Sequence, residues 1–489
     1  MNPIDPHGKT PDGRIRGSAD STGLPPSAGG EGAGSSTASS RGAAPPSADA
    51  DNPDPVTPEE VDRAATRARA VLDNNWRSGT RKGRDFAYTR PSPIRYPWQW
   101  YWDSCFCAMA RRREDPGRAQ AELDSLLGAQ REDGFIGHTI FWDSAVHWHR
   151  LPFYNVLGRW SLHTETIQPP MLAWAWRVCG RDPAAEPRLA LHHAWIREHR
   201  HLEGDDLVWI VQPDESGLDA SPKFDPIWTW RAHARLGFPL LVHRNRRLGF
   251  DARRIRDAGG PVVCEVLTNV LWSLSCQALG EPSVTPALVD RLWDPELGLF
   301  FDEVAPSGDR PRIVTWASLS PLALPDLPEE IGRRMVEEHL IPHFLTPVPI
   351  PSVPPDMPGY AEGIGRWIRA YWRGPAWANS AWLIWLGLIR LGYKREADRV
   401  RDGWVRVVAR EGLREFYDPL TGEGHGARKF GWTCLILDML AGDEEGASRS
   451  YLSRTPGEGE PASTDAGHRS ASRREPEGTT DRDAPSAGM

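Results

Sequence analysis

What most restricts this chain is apolar spacing of the helical kind, met repeatedly between residues 57 and 441 and separated by loops dense in proline, glycine, tryptophan and acids. The first instance is well signalled. Thr57-Pro58-Glu59-Glu60 offers an N-cap, a proline at the first helical position and acids in the first turn, and Val61, Ala64, Ala65, Ala68, Val71 and Leu72 follow at helical spacing. The pattern predicts further helices over 104–113, 118–130, 168–179, 187–201, 228–248, 261–279, 328–339, 374–391, 395–410 and 430–441. Strand-like alternation is scarce, with 206–211 as one candidate. So many helices, joined by loops rich in charge and aromatics, imply an all-α solenoid closed into a toroid, with function carried by loops at one mouth. No short-period repeat accompanies the pattern, so closure rests on helix number and loop chemistry.

The ends read differently. Residues 1–56 are Gly, Ser, Pro, Ala and Asp with almost no large apolar side chains, and 442–489 are similar, so both are expected to be disordered tails around one folded block, 57–441. A net charge of −8 without a basic tract argues against a nucleic-acid partner. The longest apolar run, 381–389, is too short for a bilayer and residues 1–17 lack a signal-type core, which predicts a cytoplasmic protein with no membrane partner. The six cysteines show no CxxC spacing, so zinc and redox motifs are unsupported and buried reduced thiols are expected. The 23 tryptophans exceed what a core needs, and many adjoin acids, which suits a sugar-binding cleft.

The stretch from Pro213 to Asp225 concentrates that chemistry. It carries Asp214, Glu215, Asp219 and Asp225, with Trp209 before it and Phe224, Trp228 and Trp230 within or after it. An acidic loop is usually just solvated, but carboxyls among aromatic rings are what glycosidic-bond chemistry needs: rings bind sugar faces, and an apolar setting raises a carboxyl pKa. Similar segments recur. Tyr96-Pro97-Trp98-Gln99-Trp100-Tyr101-Trp102-Asp103-Ser104 surrounds one acid with aromatics where Asp103 or Ser104 can cap a helix. Gly134 to Trp142 contains His138, and Gln168 precedes two prolines expected to open a helix. In Tyr371-Trp372-Arg373-Gly374-Pro375-Ala376-Trp377 the Gly-Pro pair is read as a helix start, with Arg373 beside it. Finally, in Arg414 to Gly426, Asp418 and Glu423 read as turn residues, and Glu415, next to Phe416-Tyr417, as the poised carboxylate. Two acids from distant parts of a chain suit glycoside hydrolysis, one donating a proton and the other activating water or attacking carbon.

In order along the chain, Trp102-Asp103-Ser104, Glu215-Ser216-Gly217-Leu218-Asp219, Tyr371-Trp372-Arg373-Gly374-Pro375 and Glu415-Phe416-Tyr417 with Phe430-Gly431-Trp432-Thr433 resemble the signatures of glycoside hydrolase family 63 and its trehalase relatives. The wording is most similar to the small bacterial glucosylglycerate and mannosylglycerate hydrolases. The resemblance implies an (α/α)6 barrel and an inverting α-glycosidase without metal or organic cofactor. It implies Asp219 as general acid, Glu415 as general base, Asp103 gripping the sugar, Trp102 and Trp377 walling it, and Tyr96, Gln99, Trp100, Gln168 and Tyr371 as further contacts. Ala220 stands where relatives commonly have Asn, and His425 where an aliphatic residue is usual, which leaves the substrate open. His138, Arg373 and the Arg253-Arg254 pair are cationic candidates for a glycerate carboxylate. The expected partner is a small carbohydrate, with room for a homo-oligomer. Trehalose or another short α-glucoside is the rival substrate, and a non-catalytic sugar-binding protein on the same scaffold the rival class. A terpene-cyclase-like reading fails because Asp205-Asp206 lacks a third acid.

Overall fold

The computed structural model describes residues 55–81, 83–142, 154–158, 161–228, 237–361 and 371–442. The expected tails, apart from Pro55, Val56 and Gly442, lie outside the described residues, as does the middle of the helix expected over 228–248.

Helix α1 (Pro58–Asn75) starts where the sequence places it. Thr57 Oγ1 accepts from the Glu60 amide and Glu60 Oε2 accepts from the Thr57 amide, a reciprocal capping box ahead of Pro58. From there, outer and inner helices alternate. Outer α1 is followed by inner α2 (Tyr101–Arg111), outer α3 (Pro116–Gly128), inner α4 (Leu172–Val178) and outer α5 (Glu186–Arg200). Three short or peripheral helices follow: α6 (Asp225–Trp228), α7 (Gly237–Arg247) and α8 (Ala252–Asp257). Inner α9 (Val266–Leu279), outer α10 (Thr285–Leu292), an inner 3₁₀ segment (Trp316–Ala323) and outer α11 (Glu329–Met335, continued as a π-helix over Val336–Phe344) come next. Inner α12 (Ala378–Leu391), outer α13 (Lys394–Glu411) and inner α14 (Ile436–Ala441), led by a 3₁₀ turn at Trp432–Leu435, complete the set.

The inner elements close on themselves. α2 packs on α4, α4 on α9, α9 on the 3₁₀ segment, that segment on α12, α12 on α14 and its leading turn, and these back on α2. The outer helices sit behind them, α3 on α2, α10 on α9, α11 on the 3₁₀ segment, α13 on α12 and α1 on α14. This is the (α/α)6 barrel. Its inner helices are apolar nearly all round, as elements buried on both sides must be: every residue of α2 is buried, and in α9 only Gln277 and Leu279 are not. Among the described residues no helix is long and apolar enough to cross a membrane. All six cysteines are free and buried.

Small antiparallel pairings decorate the barrel: β1 (Trp76–Arg81) with β2 (Arg84–Thr89), β3 (Gln99–Trp100) with β4 (Thr139–Ile140), and β5 (Trp209–Ile210) with β6 (Val262–Cys264). β7 (Trp293–Asp294) pairs with β8 (Leu299–Phe300), and β9 (Glu303–Ala305) adds to β6. β10 (Arg414–Tyr417) pairs with β11 (Gly424–Arg428). These pairings correct several helix boundaries. α9 begins at Val266, not 261, because 262–264 are committed to a sheet and Glu265 caps the helix through the Thr268 amide, 2.6 Å. α12 begins at Ala378, not at Gly374-Pro375, because the Ala376 amide and carbonyl both bond to the backbone of Tyr417. α2 begins at Tyr101, so neither Asp103 nor Ser104 is its cap; Trp100 holds that position without a side-chain bond.

Candidate active site

The Glu415 carboxylate is fixed from three sides. It lies on β10 at a shift in register, since Arg414 pairs with Arg428 but Phe416 pairs with His425. A bulge of this kind re-aims the side chain it carries. Glu415 is 1% exposed. Oε1 accepts from the Tyr96 hydroxyl at 2.8 Å and the Tyr371 hydroxyl at 2.9 Å, and Oε2 accepts from the Ala427 amide at 2.7 Å. Gly426, at φ +68°, passes so close that a Cβ there would stand 2.5 Å from Glu415 Oε2. Burial, and then the Glu415 charge, push both phenols well above the usual tyrosine value, so both remain donors. Three donors on one carboxylate set its direction. The Ala376–Tyr417 bridge ties this hairpin to the segment carrying Tyr371.

Asp219 sits on a loop anchored at its base rather than at its tip. A 3₁₀ turn over Pro213–Ser216 ends at Gly217, whose φ of +76° reverses the chain against the face of Trp102, where a Cβ would stand 2.3 Å from the ring. The other acids of this stretch hold the loop. Glu215, wholly buried, accepts from Arg200 at 2.6 Å, from the Ile167 amide at 3.0 Å and from the Val211 amide at 2.7 Å. Asp225 takes both arms of Arg373, at 2.8 and 2.5 Å. Lys223 is buried between Glu265 and Asp302. Asp219 itself is half-buried. Its charge acts on Tyr371, as does that of Glu415, so one phenol feels both carboxylates.

The remaining residues singled out in the sequence divide into two groups. Asp103, in the first turn of α2, is 4% exposed and pushed well above the usual carboxylate range by burial and then by the Glu415 charge, which places it beside the same centre. Trp102 meets Trp432 edge-on at 5.3 Å, Trp432 meets Trp377 at 5.8 Å, and Trp377 stacks on Trp372 at 3.9 Å, a continuous aromatic floor. Gln168 Oε1 accepts from the Trp102 amide at 3.0 Å and so orients the start of α2. His138 lies edge-on to Trp100 at 5.0 Å, and Trp100 to Tyr96 at 5.8 Å. Burial lowers His138 to about 3, so the ring is neutral.

Others are committed elsewhere. Gln99 is fully buried; its amide nitrogen donates to Ser104 and its oxygen accepts from Ser125 at 3.0 Å and Trp142 at 2.6 Å, so it locks α2 to α3. Arg373 is occupied by Asp225, and Arg253 donates to the carbonyls of Glu198 and His201. His425 packs on Phe416 at 6.2 Å. The backbone amide of Ala427 and the close approach of Gly426 carry no side-chain signal, and only the pairing of β10 with β11 reveals them. Among the described residues, His193, Cys276 and Glu281 have metal-ligand chemistry, but Arg197 lies 2.7 Å from Glu281 Oε2 and 3.8 Å from Cys276 Sγ and takes the place of a cation.

Known proteins resemble this chain along most of its length. Residues 96–433 match the mannosylglycerate hydrolase MGH1-like glycoside hydrolase domain. The mannosylglycerate hydrolase of Rubrobacter radiotolerans is 32% identical over 459 residues, spanning 79% of this chain and 98% of its own. The glucosylglycerate hydrolase of Mycolicibacterium hassiacum is 25% identical over 431 residues, spanning 73% and 95%. The crystal structure of a family 63 mannosylglycerate hydrolase from Thermus thermophilus, in complex with Tris and D-glycerate, superimposes with a TM-score of 0.66 at 27% identity, over 77% of this chain and all of that one.

Proposed function

The chain belongs to the mannosylglycerate hydrolase MGH1-like glycoside hydrolases, and from that premise we propose that it is an inverting α-glycosidase acting on mannosylglycerate or glucosylglycerate, with Asp219 as general acid and Glu415 as general base. The observation that carries the reading is the triple support of Glu415. A buried carboxylate aimed by two phenols and an amide suits a group that must take a proton from one particular water. Asp219, half-exposed on the facing loop, donates its proton to the glycosidic oxygen as the C–O bond breaks. Water, deprotonated by Glu415, adds to the anomeric carbon from the opposite face, and both carboxyls recover their starting states by exchange with solvent. Asp103, poised beside Glu415, holds sugar hydroxyls over the Trp102–Trp432–Trp377 floor. The folded block 57–441 is the catalytic domain.

Relatives named for both sugars leave the hexose as the quantity to measure. The test is a screen of mannosylglycerate, glucosylglycerate and trehalose with detection of free sugar, followed by NMR of the first-formed anomer. Turnover of a glycerate glycoside with release of the β-anomer is expected. Release of the α-anomer, or turnover of trehalose alone, overturns the reading.

A further inference from the structure

Three consecutive residues, Tyr371, Trp372 and Arg373, touch Glu415 at one end and the Asp219 loop at the other. The Tyr371 hydroxyl donates to Glu415 Oε1 at 2.9 Å. Two residues on, Arg373 is buried and gives both arms to Asp225, at 2.8 and 2.5 Å. A two-armed pair fixes orientation as well as distance. Between them Trp372 holds φ +58°, a region that bulky side chains seldom adopt. Its ring lies flat on Trp377 at 3.9 Å and over Trp316 at 6.3 Å, and that packing keeps it there. Past it, the Arg373 carbonyl accepts from the Ala361 amide at 2.8 Å, and the Gly374 amide donates to Ser352 Oγ at 2.8 Å. The backbone that carries the arginine is thus fastened on both sides.

Asp225 passes that restraint back to Asp219 through six residues of hydrogen-bonded turn. The Ser221 amide donates to the Leu218 carbonyl at 2.9 Å, the Phe224 amide to the Ser221 carbonyl at 3.2 Å, and the Asp225 amide to the Pro222 carbonyl. A second tie acts on the same turn. Lys223 is buried between Asp302, at 3.0 Å, and Glu265, which caps α9. The two ties refer the loop to different places: Lys223 to the barrel wall, Arg373 to the segment that aims Glu415. An inverting pair of carboxyls must stand far enough apart to admit the sugar and one water, so their relative placement matters more than either position alone.

We propose that Arg373 is a positioning residue that sets the acid loop relative to the base, by clasping Asp225 from the segment whose Tyr371 holds Glu415; this rests on the reading of Asp219 as acid and Glu415 as base. The test is kcat and KM of the full chain on mannosylglycerate or glucosylglycerate, whichever turns over faster, and on the α-fluoride of the same hexose, which leaves without a proton. Wild type, Arg373→Met, Arg373→Lys and Asp225→Asn are compared, with melting curves of each. Glu415 keeps Tyr96 and the Ala427 amide in every variant. In Arg373→Met and Asp225→Asn, kcat on the glycerate glycoside should fall at least about tenfold, while KM and fluoride turnover stay within about twofold. Arg373→Lys, which keeps the charge without the fork, should recover part of the loss. An equal fall on both substrates shows a merely structural role, and wild-type kcat shows that Lys223 suffices; either overturns the inference. A rise in KM alone also overturns it, by making Arg373 a substrate contact. If Arg373→Met does not fold, Asp225→Asn decides. Asp219→Asn, assayed alongside, separates the two claims. If it loses the glycoside and keeps the fluoride while the Arg373 and Asp225 variants show no such split, only the inference fails. If it retains glycoside turnover, the assignment of the acid fails and the inference with it.

Discussion

Glu415 and Asp219 stand on stretches of chain built to different plans, and the difference matches the two opposite chemical tasks proposed for them. The Glu415 hairpin spends donors on the carboxylate itself: both oxygens are occupied, two phenols converge on one of them, and Gly426 closes the space behind. The Asp219 loop spends its ion pairs on its flanks, Glu215 with Arg200 and Asp225 with Arg373. In the proposed roles the base must be aimed at one water while the acid must reach the glycosidic oxygen, which suits a carboxylate gripped directly and one carried on a braced loop.

The largest effects come from removing either group. Asp219→Asn and Glu415→Gln should each lower kcat by at least about 10³-fold on a glycerate glycoside. The comparison predicts that they part company on an α-glycosyl fluoride, whose leaving group needs no proton. Asp219→Asn should regain turnover there, and Glu415→Gln should not. The opposite pattern would exchange the two roles.

Gly426→Ala attacks the hairpin without touching a functional group. The added Cβ would stand 2.5 Å from Glu415 Oε2 and 2.6 Å from Glu415 Cβ, so the carboxylate must move. A displacement of that size costs about 100-fold in kcat, with only a modest fall in melting temperature. Wild-type kcat in a folded variant would show that the base tolerates movement. Smaller effects come from the two phenols. Tyr96→Phe and Tyr371→Phe each remove one charge-assisted hydrogen bond and should lower kcat about tenfold.

The unequal legibility of the two stretches in the sequence has a physical origin. Inner α2, α9 and α12 are long and apolar and outer α13 is long and amphipathic, so spacing alone placed these four to within a few residues. The four ordered motifs nominated the carboxyls proposed for catalysis. The backbone that aims them was not visible: Arg414-Glu415-Phe416-Tyr417 is too short to show alternation, and its partner strand contains Gly424 and Gly426, residues depleted in strands. Ala427 acts through its amide, which any residue type but proline supplies. Arg373 and Gln99 illustrate the converse. Their residue types suit sugar and carboxylate recognition, yet Asp225 and the Ser104–Ser125–Trp142 cluster claim them, and such partners lie 148 and up to 43 residues away in sequence.

Glu122 offers the control that separates burial from function. It is as deeply buried as Glu415, but its donors lie far from the proposed water: Oε1 accepts from the Thr89 amide at 3.0 Å, Oε2 from the Thr89 hydroxyl at 2.8 Å, and the Ser104 side chain bonds to it as well. Burial raises it from 4.5 to about 7. The folded protein therefore holds a proton between those values that the unfolded chain has lost. Its contribution is complete below pH 4.5 and is lost as the pH rises through 7, on the order of 3 kcal/mol across the interval. Glu122→Gln keeps both Thr89 contacts, since the Thr89 hydroxyl can turn to accept from the new amide, and removes the titration. Its melting temperature should fall less than that of wild type between pH 5 and pH 8, while kcat on the glycerate glycoside stays within about twofold. A variant with the wild-type dependence of melting on pH would show that Glu122 is already ionised in the folded state. A loss of kcat comparable to that of Glu415→Gln would mean that depth of burial, not the aiming of donors, distinguishes the groups this enzyme cannot lose.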